Sequence, residues 1–141
     1  MKSQSQPSTP QALNRSEYAA VALVSRGELS ALGDRAAVPI CIRVPPKKTP
    51  PEPLIRYLQS VGVPVSHQKD CYPRGEYPRG VEINISDLRR SNVSQLDLTV
   101  DTADITLGRD VHFATPLREG TYHLKQDDKG EWTIIGYTKK K

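Results

Sequence analysis

The sequence predicts an α+β fold, in which a bent antiparallel sheet of four or more strands packs against one or two N-terminal helices. Three observations support this class: helical patterns early in the chain, a two-residue apolar period from residue 80 onward, and a shift of that period within the sheet. A strand–helix–strand unit is predicted before the sheet. With 141 residues, the chain is long enough for one domain with a sizeable core.

The two ends of the chain differ in composition from its middle. Residues 1–13 are mostly Ser, Gln and Pro, which predicts a disordered lead or tether. Residues 14–138 form the predicted single domain, and 139–141 form a basic tail. The chain contains no run of about 18 apolar residues, so no transmembrane helix is predicted.

A first helix is predicted over roughly residues 15–30. Asn14 can cap it, with Glu17 as the partner residue of a capping box. Gly33 is expected to end the region. The side chains that can share one stripe of this helix are Tyr18, Val21, Ala22 and Leu29.

The strand–helix–strand unit is predicted over residues 37–71. Its first strand, 37–44, alternates apolar residues onto one face: Val38, Ile40, Ile42 and Val44. Thr49 is the predicted N-cap of the helix and Gly62 its end. Apolar positions at helical spacing lie between them, at Leu54, Leu58 and Val61. Val63 then begins a second strand, which would be parallel to the first if the two are neighbours.

Beyond residue 80, the apolar residues recur at every second position. The predicted inward face comprises Val81, Ile83, Ile85, Leu96, Leu98 and Val100. The apolar phase then moves to Ala103, Ile105 and Leu107. This shift predicts a bulge near Asp101 and Thr102, and a bulge bends a sheet.

The sheet is predicted to close with a hairpin. Tyr122 and Leu124 start a strand, residues 127–130 form a tight turn, and Trp132 starts the last strand. The stretch Lys-Gly-Glu-Trp-Thr-Ile at 129–134 fits the Asp-Gly-x-Trp-x-Ile pattern of the last hairpin in many bacterial nuclear-transport-factor-like proteins.

The chain therefore resembles the nuclear-transport-factor-like (SnoaL-like, cystatin-like) superfamily. The resemblance covers residues 80–138 closely and 15–71 loosely, and the strand–helix–strand unit departs from it. It implies a cone-shaped α+β fold. Because members of this superfamily range from isomerases to carriers and structural accessories, the resemblance implies no single function.

The positive charge of the chain is concentrated at its ends. The net charge is +4, but Lys2 and the lysines of 139–141 are four of the 20 basic residues, and the rest balance the 16 acidic ones. A nucleic-acid-binding domain usually carries its positive field on the folded surface. Nucleic acid is therefore disfavoured as a partner.

Cys41 and Cys71 are the only cysteines in the sequence. If they lie on neighbouring strands, they can form a disulfide that closes a loop of about 30 residues, which would stabilise the fold by roughly 3 kcal/mol. The alternative is two buried free thiols.

No metal, cofactor or catalytic constellation is predicted. His67 and Cys71 are four positions apart, which separates their side chains by about 13 Å on a strand. Asp97 and Asp101 are interpreted as the solvent face of a strand, and four nearby aspartates do not match a calcium loop: Asp97, Asp101, Asp104 and Asp110. A cysteine–histidine nucleophile would lack both an orienting acid and a glycine-rich oxyanion loop.

The segment 72–80, YPRGEYPRG, is a short tandem repeat. Its aromatic and guanidinium side chains are typical of interfaces, so it is the predicted partner or ligand loop, through Tyr72, Arg74, Tyr77 and Arg79. The alternative is a turn-rich linker.

Three functions stay open. The favoured one is a non-catalytic binding or accessory domain of unknown partner. A location in the bacterial envelope is compatible with the sequence, because the lead is similar to the spacer that follows a removed signal sequence. A cytoplasmic location is equally compatible, since no apolar region follows Met1. The second is a small enzyme or binder of a small apolar ligand, using a pocket between helices and curved sheet. The third is a weak nucleic-acid binder acting through the ends and the Arg-Gly loop.

Overall fold

The computed structural model describes residues 12–35, 39–46, 49–67, 70–71, 79–107 and 111–140. The helices are α1 (Tyr18–Leu32) and α2 (Glu52–Ser60), with short 3-10 turns at Arg15–Glu17 and Gly33–Arg35. The strands are β1 (Ile40–Arg43), β2 (Arg79–Asn92), β3 (Gln95–Leu107), β4 (His112–Gln126) and β5 (Trp132–Lys139).

The five strands form one sheet whose spatial order is the chain order, β1 to β5. β1 is parallel to β2, and each later pair is antiparallel. The predicted class, α+β with an antiparallel-rich sheet, is confirmed. In the part of the chain that the structure describes, neither helix is long and apolar enough to cross a membrane.

The start of α1 is fixed by polar contacts that the sequence predicted in part. The Asn14 backbone N–H donates to Glu17 Oε1 at 2.8 Å, which is one half of the predicted capping box. Glu17 is itself buried and accepts two bonds from the Arg90 guanidinium, at 2.7 and 2.6 Å. Trp132 Nε1–H donates to the Ser16 carbonyl at 2.8 Å. The 3-10 turn Arg15–Glu17, which leads into α1, is therefore tied to both β2 and β5.

The predicted cap of α2 is wrong by two residues. The N-cap is Pro51 instead of Thr49, and the Pro51 carbonyl accepts the first helical bonds from Leu54 and Ile55 at 3.0 and 3.3 Å. Pro51 is extended, with ψ 145°, so the helix begins after it. The predicted end is correct, since Gly62 has φ +89°.

The second strand predicted at Val63 is also wrong. Residues 63–67 form no strand, although Val63 and Val65 are buried. The parallel partner of β1 is β2, with Ile40 opposite Val81. The Ser66 N–H donates to the Ile40 carbonyl at 2.7 Å, but this bond does not extend into a ladder. Burial against the core, not strand pairing, explains the alternating valines.

The predicted bulge lies at the expected level of the sheet but on the neighbouring strand. Thr102 is opposite Arg118 and Ala103 is opposite Pro116, so Leu117 of β4 is the extra residue. β4 also begins ten residues earlier than predicted, at His112, because its first part is exposed and shows no alternation.

One hydrophobic cluster joins the buried side chains of both helices and all five strands. The predicted inward residues of β2 and β3 are all buried within it: Val81, Ile83, Ile85, Leu96, Leu98 and Val100. We call this side of the sheet the inner face and the opposite side the outer face. The two faces carry very different side chains.

Candidate functional site

A fully buried carboxylate, Glu28, lies between α1 and the inner face. Its Oε1 accepts from Thr102 Oγ1 at 2.6 Å. Its Oε2 accepts from the Arg118 Nε–H at 2.9 Å and from the Tyr122 hydroxyl at 2.5 Å. Because Glu28 is 0% exposed, the carboxylate reaches these three side chains but not solvent. We call these four residues the inner network.

Aromatic rings enclose the inner network. The Tyr137 ring centre lies 4.6 Å from that of Tyr122, and the Arg118 guanidinium lies 4.7 Å from the centre of the Tyr137 ring. Burial, together with the Glu28 charge, raises the pKa of the Tyr122 hydroxyl above its ordinary value. A Cβ added at Gly27 would lie 3.0 Å from the Tyr122 hydroxyl, so α1 approaches β4 closely. The inner network therefore holds α1 against β3 and β4.

A polar groove of about 300 Å³ lies on the outer face. It crosses β2 to β5, and strand alternation points its side chains away from the helices. We call it the outer groove, and its lining residues are Asp87, Arg89, Asp97, Thr99, Thr121, His123 and Thr138. One guanidinium, one imidazole, two carboxylates and three hydroxyls thus share a surface of mixed charge.

Hydrogen bonds order the centre of the outer groove. Asp97 Oδ1 and His123 Nδ1 are 2.9 Å apart, and His123 Nε2 is 2.8 Å from Thr138 Oγ1. The register places Asp97 directly opposite His123, and it places Gly136 opposite His123 on the other side. Since Gly136 has no side chain, the imidazole edge is left open toward Thr138.

The acid, imidazole and hydroxyl follow the order found in nucleophilic relays. Such a relay also needs donors for a developing oxyanion. Every residue that lines the outer groove lies on a strand, so none of them supplies a helix N-terminus or a glycine-rich loop. The side chains that line the groove can hold a polar ligand through both donors and acceptors.

The predicted partner loop falls almost entirely outside the described residues. Tyr72, Arg74 and Tyr77 lie there, so their role stays a prediction. Arg79 is the first residue of β2, and its Nη2 lies 3.3 Å from Asp104 Oδ2. Arg79 is therefore engaged with β3.

Cys41 on β1 and Cys71, which lies on no strand, are close to each other, and both are buried free thiols. The Cys41 thiol donates to the Cys71 carbonyl at 2.5 Å. The neighbouring Cys71 side chain, together with burial, raises the pKa of Cys41, whereas the neighbouring Cys41 side chain lowers the pKa of Cys71. Their proximity permits a disulfide, and whether one forms stays a prediction.

Sequence reasoning missed the residues that define both clusters. Glu28 follows Val21, Val24 and Ser25 at helical spacing, so a carboxylate on the buried stripe of α1 was the available signal. His123 was left without a partner because only the strand register pairs it with Asp97.

A second cavity, of about 330 Å³, is mostly apolar. It lies beside the loop after β1, and its lining residues are Ala12, Leu13, Val44, Pro45, Pro46, Thr49 and Pro51. No charged side chain is among them. This is a different place from the pocket predicted between helices and sheet.

The chain matches no family model, no curated protein and no solved structure in the three comparisons made. The resemblance to the nuclear-transport-factor-like superfamily accordingly stays a prediction, and the site must be interpreted from its own geometry.

Proposed function

We propose that this chain is a non-catalytic protein-binding domain that docks a partner on the outer face of its sheet. The outer groove carries the proposal, because it gathers seven polar or charged side chains on one accessible, strand-built surface. Strands hold side chains at fixed spacing, which suits recognition of a matching surface.

The chemistry of the groove defines the kind of partner. Arg89 offers donors, whereas Asp87 and Asp97 offer acceptors, so a partner surface of mixed charge is complementary. The two carboxylates disfavour a polyanion such as nucleic acid. The lining includes no aromatic or large aliphatic side chain, which disfavours an apolar ligand at this place.

The alternative of an enzyme with an interior active site has less support. Among the described residues, the ionisable groups nearest to the inner face include Glu28, Arg118 and Tyr122, and these bind one another. A carboxylate held by three donors and closed to solvent is poorly placed to exchange protons with a substrate. The apolar cavity beside Pro46 is the place that a small apolar ligand would fit.

Membership of the nuclear-transport-factor-like superfamily is also part of the proposal. The N-terminal α1, the bulge at Leu117 and the closing hairpin before Trp132 support it. An experimental structure superimposed on members of that superfamily would test it, and a different order of strands would contradict it.

The docking proposal is tested by reversing groove charges. A tagged Arg89→Glu/His123→Glu variant is compared with the unchanged chain and with Val93→Lys, a control at a 97% exposed turn residue. Partners are isolated from an extract of the source organism, and each purified partner is titrated by calorimetry. We expect the groove variant to weaken binding by about tenfold or more, with the control unchanged. Equal retention by all three proteins would contradict the proposal.

A further inference from the structure

The last strand, β5, lies at an edge of the sheet. It pairs with β4 over residues from Gly120 to Gln126, and no described strand lies on its other side. An edge strand exposes backbone donors and acceptors that can pair with another strand. Ile135, near the middle of β5, is 57% exposed, which is unusual for isoleucine. The edge is therefore open and partly apolar.

Because of a bulge, the order in which the residues of β5 point to the inner and outer faces of the sheet is symmetrical. The register with β4 skips Ile135, since Gly136 is opposite His123 and Ile134 is opposite Leu124. Facing follows from each residue's partner on β4. The inward residues are Trp132, Ile134, Tyr137 and Lys139, and the outward ones are Thr133, Gly136 and Thr138. With Ile135 on the outer side, the order in-out-in-out-out-in-out-in is the same in both directions.

This symmetry determines which partner strand fits. Residues opposite each other in an antiparallel pair point to the same face. Consider a regularly alternating strand that pairs with its own copy about a two-fold axis midway between two neighbouring residues. Each of these two residues would oppose the other one in the second copy, so an inward residue would oppose an outward one. The bulge removes that obstacle in β5. We propose that β5 pairs antiparallel with β5 of a second copy of this chain, about a two-fold axis between Ile135 and Gly136.

The side chains that this register brings together are complementary. Thr133 opposes Thr138 of the second copy, and Ile134 opposes Tyr137, and both kinds of cross-strand pair are favourable. Trp132 opposes Lys139, which suits a cation–π contact. The exposed Ile135 opposes Gly136, where no side chain competes for space.

Charges at the ends of the strand support the same register. Continuing it by one residue places Glu131 opposite Lys140 of the second copy, and this pair occurs twice because of the symmetry. Both residues are exposed. Lys140 Nζ lies 3.2 Å from Glu119 Oε2 of β4, an exposed contact that Lys140 would exchange for Glu131 of the second copy. Both symmetry-related pairs would therefore join a negative Glu131 to a positive Lys140.

The dimer would also extend the outer groove. Thr138 lines the groove and would gain Thr133 of the second copy as its cross-strand neighbour. The outer faces of two copies would then form one continuous surface. This inference does not depend on the proposed function, because dimerisation is measured without any partner.

The experiment is sedimentation equilibrium on the full chain over a wide concentration range. We expect a monomer–dimer equilibrium in the unchanged protein. Glu131→Lys places Lys opposite Lys140 twice, so the dissociation constant is expected to rise about tenfold, or about 1.4 kcal/mol. Lys140→Glu should act in the same direction, and the double variant Glu131→Lys/Lys140→Glu should restore dimerisation.

Restoration would be specific to pairing between copies. Within one chain the two residues are nine positions apart along a strand, roughly 30 Å, so they cannot compensate each other internally. Ile135→Lys is a second disrupting variant, and Val93→Lys is the exposed control that should leave the dimer intact. A chain that stays monomeric at its highest soluble concentration, or a dimer unaffected by Glu131→Lys and Ile135→Lys, would overturn the proposal.

Discussion

The two faces of one sheet carry similar polar groups in opposite surroundings. On the inner face, the Glu28 carboxylate accepts bonds from Arg118 and Tyr122, without solvent. On the outer face, the Asp97 carboxylate contacts His123, and both side chains are about one-third exposed. Burial makes an unpaired charge costly, whereas solvent screens an exposed one. The inner network should therefore determine stability, and the outer groove should determine recognition.

The largest expected effect is at Glu28. Glu28→Gln keeps the size of the side chain but leaves the Arg118 charge without its partner. We expect the free energy of unfolding to fall by about 3 kcal/mol, at the low end for buried pairs because Arg118 is 25% exposed. Urea unfolding followed by circular dichroism measures it.

A double variant sharpens that result. Glu28→Leu/Arg118→Met replaces both charges by apolar groups, which should recover part of the loss, since no buried charge is then stranded. A fall below about 0.5 kcal/mol in Glu28→Gln would show that the two faces do not differ as described.

The cysteines are the exception to the comparison. Cys41 is opposite Glu82 and so belongs to the outer pattern, yet it is buried because Cys71 lies against it. We expect oxidised glutathione to join the two sulfurs and to stabilise the fold by roughly 3 kcal/mol through loop closure. Titration of thiols in the denatured, unreduced protein measures the bond, with Cys71→Ser as the control. Two reactive thiols per chain after oxidation would rule it out.

A smaller effect is expected at Tyr122, and it depends on pH. Tyr122→Phe removes one hydrogen bond to Glu28, so stability at neutral pH should fall by about 1 to 2 kcal/mol. Burial raises the pKa of Tyr122, so the folded state holds the phenol proton to higher pH than the unfolded state does. Its contribution is present below about pH 10, the unfolded value, and is lost as pH rises further.

The unchanged protein should accordingly lose stability above about pH 10 more steeply than Tyr122→Phe does. Tyr137, whose pKa burial also raises, is present in both proteins and cancels in the comparison. Urea unfolding at a series of alkaline pH values provides the two slopes. Parallel slopes would contradict the assignment to Tyr122.

The smallest expected effect on stability is at His123. His123→Ala removes contacts to Asp97 and Thr138 on the exposed face, and stability should change by less than about 1 kcal/mol. Partner binding should nonetheless weaken. Equal losses of stability from His123→Ala and Glu28→Gln, measured by urea unfolding, would remove the distinction between the faces.

The sequence predicted those parts of the fold that local patterns determine. Alternation identified β2 and β3, and Gly33 and Gly62 marked where the helices end. The strand predicted at Val63 does not form. Alternating apolar residues indicate that every second side chain is buried, but they do not show whether a neighbouring strand is available for backbone hydrogen bonds. The early part of β4 was missed because its exposed residues show no apolar period.

The candidate site depended on long-range information. Asp97 was correctly placed on the solvent face, but its contact with His123 needs the register of β3 against β4. The contact of Glu28 with Tyr122 joins residues 94 positions apart, and no local period encodes that. Spacing therefore identified which residues of β2 and β3 face inward, whereas the sheet register determined which side chains meet in the inner network and the outer groove.

The ties between the first helix and the last strands have a consequence for synthesis of the chain. α1 leaves the ribosome early, but the partners of Glu28 follow on β3 and β4, and Trp132, which binds Ser16 across 116 positions, comes later still. Until then the Glu28 carboxylate needs water, so α1 cannot settle on an incomplete sheet. We therefore expect the nascent domain to stay open at α1 until β4 has emerged, and the bond from Trp132 to Ser16 to form last, with β5.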